Sequence, residues 1–143
     1  MRHPIRPKPI TRQLIAALRR RWQRFAATFS NHISFVPAHY QARPCQGRAW
    51  RRAFPVAGKQ HIRRFLQLFT DAFGFPQSSV LRFRPDDPVM EVYRALYPRN
   101  GMDAMELEHW ALSLQRHYAL GAQAIWRDNL TLGELFAMTE RQQ

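Results

Sequence analysis

From residue 59 onward the apolar positions return every three or four residues, the spacing of one face of an α-helix. Ile62, Phe65, Leu66, Phe69 and Phe73 form the first stripe, and Gly74 followed by Pro76 predicts its end. A loop over 75–86 follows. Asp87-Pro88 then reads as an N-cap with proline at the first helical position. It opens a short helix, marked by Val89, Val92, Tyr93 and Leu96, that stops before Pro98. Asp103 caps the next helix, and Glu106 sits three residues on, where its carboxylate reaches back to the cap's backbone N–H. Leu107, Trp110, Ala111, Leu114 and Tyr118 form its stripe to about Ala119, with Glu106 and Glu108 on the solvent side of its first turns. After a connection from Gly121 to Asn129, Thr131-Leu-Gly-Glu134 is a second capping box and opens a last helix to about Glu140. The expected fold class is therefore all-α, with a small helical bundle over 59–143.

Upstream the pattern changes. Prolines at 4, 7 and 9 keep residues 1–10 extended. Leu14, Leu18, Trp22, Phe25 and Phe29 then share one face of a helix over about 11–29, and Arg19, Arg20, Arg21 and Arg24 cover much of the rest. Residues 30–58 hold Pro37, Pro44 and Pro55 with Gly47 and Gly58 and no sustained period, so they read as a Pro-rich linker or wrapping segment. Within it, 32–36 reads as a short strand, and Arg48, Arg51 and Arg52 keep the segment basic. Two domains are expected, a basic, partly helical extension over 1–58 and a helical domain over 59–143.

Charge sharpens that division. The chain carries 22 Lys plus Arg against 10 Asp plus Glu, a net +12 with a pI near 11.4. Residues 1–60 hold thirteen of the cations and no acid, whereas 61–143 hold nine arginines and all ten acids, a net −1. Such a basic segment attracts nucleic acid, anionic lipid or an acidic protein surface. Trp22, Phe25, Trp50 and Phe54, interleaved with the arginines, suit base stacking, and the 11–29 helix suits an anionic membrane. It suits equally well a helix that lays its apolar face on the rest of the protein. Cys45 is the only cysteine, so neither an internal disulfide nor a Cys-based zinc site is expected. His109 and His117 are eight apart, not the i, i+4 pair of a helical zinc site. No Gly-rich phosphate loop, nucleophile elbow or catalytic carboxylate pair is present, and the expectation is a non-enzymatic protein. No apolar run approaches the ~20 residues of a transmembrane helix. The expected location is cytoplasmic, with a mitochondrial matrix protein whose transit peptide lies in 1–58 as the alternative.

The order of elements over 59–140 resembles an acyl carrier protein: a first helix, a long loop, an acidic helix opening at an Asp cap, and a short last helix. Asp103-Ala104-Met105 matches the Asp-Ser-Leu at which such carriers attach 4′-phosphopantetheine. Ser113-Leu114-Gln115-Arg116-His117-Tyr118 and Thr131-Leu132-Gly133-Glu134-Leu135 resemble further carrier segments. Pro85-Asp86-Asp87-Pro88, the run from Tyr93 to Pro98, and Trp126-Arg127-Asp128 resemble a group of carrier-like bacterial proteins of unassigned role. About 80 residues are covered, and 1–58 has no counterpart. The resemblance implies a carrier-like bundle whose acidic helix, through Asp103, Met105, Glu106 and Glu108, docks a protein partner with a basic surface. It also implies a departure, because Ala104 has no hydroxyl for the phosphodiester. As sequenced the chain carries no covalent cofactor. An engineered Ser→Ala change would leave the same sequence, and the native chain would then be a carrier with 4′-phosphopantetheine at position 104. Glu108 is the most informative of the acids, because capping does not require it. An intramolecular contact of 1–58 with the acidic helix is a further expected use of that surface.

Overall fold

Apolar periodicity becomes helix throughout the part of the chain that the computed structural model describes, residues 36–96 and 105–142. In order, these are α1 (Ala38–Gln41), α2 (Gly47–Ala53), α3 (Lys59–Phe73), a 3-10 segment (Gln77–Arg82), α4 (Val89–Leu96), α5 (Met105–Tyr118), α6 (Ala122–Ile125) and α7 (Leu132–Glu140). Among the described residues there is no strand, only one isolated antiparallel bridge between Pro88 and Thr131. The all-α expectation holds for this part. The helix expected over 11–29 and all but Val36 of the expected strand lie outside the described residues, and Val36 is in no strand.

The central helix is α3. Its whole predicted stripe is buried, and Phe65, Leu66 and Phe69 are inaccessible. Phe65 lies 5.2 Å from Trp110 of α5 and 5.3 Å from Phe136 of α7, both edge-to-face. Phe69 meets Phe83 at 5.1 Å and Trp110 at 5.5 Å in the same manner. Edge-to-face pairing places the positive ring edge on the negative ring face and adds about 0.5–1.5 kcal/mol per pair beyond area burial. Gly74 ends α3 as expected, at φ 68°, and lets its own N–H return to the Asp71 carbonyl and that of Phe75 to Thr70.

The loop after α3 is more ordered than its composition suggests. The 3-10 segment delivers Phe83 to the core, and residues 85–89 then clasp the start of α7. Gly133 N–H donates to the Pro85 carbonyl at 2.7 Å, Leu132 N–H to Asp87 at 3.0 Å, and Val89 N–H to Leu130 at 3.0 Å. Gly133 is required there, since a Cβ would stand 2.8 Å from the Pro85 carbonyl oxygen. The predicted capping box at Thr131 forms in full: its hydroxyl accepts from Glu134 N–H, and the Glu134 carboxylate accepts from Thr131 N–H. Thr131 N–H first, and Arg127 behind it, hold the Glu134 carboxyl below its ordinary range.

The division at residue 58 does not follow the packing. Val36, Tyr40 and Trp50 join the core, and all described residues belong to one compact unit. Trp50 donates its indole N–H to the Phe83 carbonyl at 2.8 Å, and Phe54 lies 4.7 Å from Phe136. Prolines and glycines in 37–58 mark turns between short helices rather than the absence of helix. Two one-turn or two-turn helices are too brief to show a period.

Candidate binding surfaces

The acidic face expected at the start of α5 is only partly available. Asp103 and Ala104 lie outside the described residues. Met105 and Glu108 are half-buried, and Glu106 is buried, so the expected solvent row of Glu106 and Glu108 is corrected on both counts. Trp110 on the same turn sinks between Phe65 and Phe69, and that close docking of α5 against α3 leaves little of its first turns exposed. His109 bonds the Ala72 backbone across the same interface, and burial pushes its imidazole below the ordinary histidine range. Leu114 and Tyr118 continue the predicted stripe into the core, with Leu107 and Ala111 packed at its edge.

Asp87 was expected to cap α4. Its carboxylate goes instead to Arg43, in two parallel bonds of 2.7 and 2.9 Å, and to the Arg84 amide at 2.7 Å. The Arg43 carbonyl accepts from the Arg82 guanidinium, and the Arg43 guanidinium lies over the Tyr40 ring, 4.7 Å from its centroid. This cluster is structural. It ties the segment before α2 to the 3-10 segment and the start of α4. No signal in a single sequence pairs positions 44 residues apart.

The expected basic patch is partly assembled. Arg19, Arg20, Arg21 and Arg24 lie outside the described residues. Arg48 and Arg51, three apart on α2, line a cavity of about 310 Å³ together with Lys59 and Arg63, four apart on α3. Trp50, Ile62 and Leu81 supply apolar lining, with Gly47 and Cys45 completing it; Arg52 stays on the exposed side of α2 outside the cavity. Gln46 N–H donates to the Leu81 carbonyl at 2.7 Å, which pins the start of α2 to the 3-10 segment and fixes the cavity's walls. Sequence reading found two of the four cations. Lys59 and Arg63 fall within the helix predicted from residue 59, and only the folding of 44–53 against it brings the pairs together.

Among the described residues no three His, Cys, Asp or Glu side chains group to hold a metal ion, and no helix is long and apolar enough to cross a membrane. Comparison with protein-family models, with curated proteins and with solved structures returned no match.

Proposed function

We propose that the chain is a non-catalytic, protein-binding relative of acyl carriers that works without a prosthetic arm. The observation that carries this reading is the succession of α3, an ordered loop, α4, an acidic-start α5 and a Thr131-capped α7, with the loop at 85–89 clasped to the opening of α7. Ala104 offers no hydroxyl for a phosphodiester, so no thioester chemistry is assigned to it. With Glu106 packed inside, Glu108 and Met105 are the described residues left to meet a basic partner, and charge there steers encounter and orientation more than affinity. The test is intact mass after incubation with a permissive phosphopantetheinyl transferase and coenzyme A, run on the parent and on Ala104→Ser. Gain of the phosphopantetheine mass by Ala104→Ser alone supports the carrier register at 104. Modification of the parent, or of neither protein, removes that support.

A second reading, binding of nucleic acid or anionic membrane through the arginine-rich N-terminal part, is favoured by Arg48 and Arg51 lying on one acid-free cavity. On that reading affinity for duplex or single strands falls steeply with salt, as counterion release requires. A flat salt response argues against it.

A further inference from the structure

The cavity between α2 and the start of α3 breaks two local rules of helix electrostatics. Lys59 occupies the first turn of α3, where the helix dipole disfavours a cation, and that turn contains no acid to offset it. Arg48 and Arg51, and likewise Lys59 and Arg63, are like-charged pairs at helical-neighbour spacing, which destabilise a helix by a few tenths of a kcal/mol each. All four are exposed, none is in an ion pair among the described residues, and no acid lines the cavity. Elsewhere among the described residues Arg43 pairs with Asp87, Arg84 with Asp86, Arg94 with Asp128 and Arg127 with Glu134. Arginines outside these pairs, such as Arg52 and Arg116, are exposed; what sets the cavity apart is that four unpaired cations converge on one site. Departures from local consistency concentrate where a site is built.

The cavity is also not a plain charged surface. Its floor is the half-buried Leu81 with only the edges of Trp50 and Ile62, which are 1% and 5% exposed, and the Trp50 indole is held in place by its bond to Phe83. About 310 Å³ stands at the lower end of the ~300–1,000 Å³ of small-ligand sites, which combine an apolar interior with a few polar groups that fix orientation. We propose that this cavity binds a small amphipathic anion, a carboxylate or phosphate monoester bearing one apolar alkyl chain. The head meets Arg48, Arg51, Lys59 and Arg63, and the apolar group lies over Leu81 and the exposed edges of Trp50 and Ile62. Planar guanidinium forks suit either head in bidentate fashion, and the lysine serves as a point charge. Cys45 stands at the exposed edge, where an occupant shields it. The inference goes beyond the carrier-like reading and does not depend on it; the mass test at position 104 leaves it untouched.

The experiment uses the full chain, with decanoate, decyl phosphate, decanol and inorganic phosphate titrated separately by calorimetry, and with Cys45 alkylation followed in parallel. Expected are saturable one-to-one binding of decanoate or decyl phosphate and slowed alkylation. Decanol and inorganic phosphate each bind at least about a hundredfold more weakly, since each lacks one half of the interaction. Comparing the two charged heads tells a carboxylate site from a phosphate site. Arg51→Gln and Lys59→Gln each weaken binding about tenfold while leaving the unfolding midpoint equal or higher, because a repelled charge is removed. Cys45→Trp, placed on an exposed residue, fills the mouth and abolishes binding. The proposal is overturned if inorganic phosphate binds as tightly as decyl phosphate, if Cys45→Trp binds normally, or if no charged amphiphile saturates. It is equally overturned if a short single-stranded oligonucleotide displaces decanoate and binds more tightly than either amphiphile. The cavity would then be one stop on a nucleic-acid track.

Discussion

Removing Arg43 tests whether the segment before α2 belongs to the cooperative fold. The Asp87 side chain is 7% exposed and that of Arg43 25%, so the carboxylate depends on its protein partners while the guanidinium keeps partial access to water. Arg43→Ala removes two charge-assisted bonds of 2.7 and 2.9 Å and leaves the Asp87 carboxylate with the Arg84 amide alone. Breaking a fully buried pair from one side costs about 3–5 kcal/mol, and a largely solvated pair contributes under about 1 kcal/mol. A quarter-exposed arginine on a buried carboxylate falls between, at about 2–3 kcal/mol. Arg43→Lys keeps the charge but not the fork and recovers about half of that loss. The assay is urea unfolding of Arg43→Ala, Asp87→Asn and the double variant, read as a midpoint shift at constant slope. In the double variant the orphaned carboxylate is gone, so the two losses do not add, and the cycle returns a coupling of about 1–2 kcal/mol. A loss under about 0.5 kcal/mol for Arg43→Ala, with no coupling, would refute the reasoning and return 36–58 to a peripheral strap.

Three other substitutions or titrations follow from single residues. Gly133→Ala should lower stability by about 2 kcal/mol although alanine is the better helix former by about 1 kcal/mol, because its Cβ collides with the Pro85 carbonyl; a stabilised variant in the same urea assay contradicts the clasp. Ala119 ends α5 at φ 52°, an exposed left-handed position, so Ala119→Gly should raise the midpoint by about 0.5 kcal/mol, the backbone strain relieved less the added unfolded-state entropy. Tyr40 is pushed up from 10.0 to about 12, first by burial and then by Asp87. Between those values the unfolded chain has lost a proton that the native one keeps, so stability should fall with rising pH by about 2–3 kcal/mol in all. Tyr40→Phe should remove most of that slope in unfolding measured across alkaline pH, and an unchanged slope would assign it elsewhere.

Legibility in the sequence followed the range of the interaction. Ile62 to Phe73 and Trp110 to Tyr118 announced themselves because a long helix repeats its burial pattern several times. The ends at Gly74, and at Thr131 with Glu134, were readable because caps are made within four residues. Asp87 was misread for the complementary reason. Locally it has every property of a cap, and the partner that claims its carboxylate lies 44 residues upstream. The same limit hid the helical content of 37–58, whose elements are stabilised by Phe83, Phe65 and Phe136 rather than by their own periodicity. At the candidate sites, Arg48 and Arg51 were visible as charge, but their company with Lys59 and Arg63 is a product of tertiary folding.

The charge asymmetry takes on a different meaning once the segments are packed. Read along the chain, thirteen cations without an acid suggest a basic tail appended to a neutral domain. In the fold, the boundary between the two charge regimes runs through the first turn of α3 and is not a structural boundary at all. One cation of the acid-free stretch, Arg43, crosses it and is neutralised by Asp87. Arg48 and Arg51 cross it too, yet they meet Lys59 and Arg63 instead of acids. Had the basic composition served only solubility or diffuse attraction, nothing would favour collecting four cations around Trp50, Ile62 and Leu81 at a cost to helix stability. An apolar-walled cavity that concentrates unpaired cations makes the excess charge local and directional. It is there, more than in the net +12, that a specific anion would be distinguished from the many that merely carry the opposite sign.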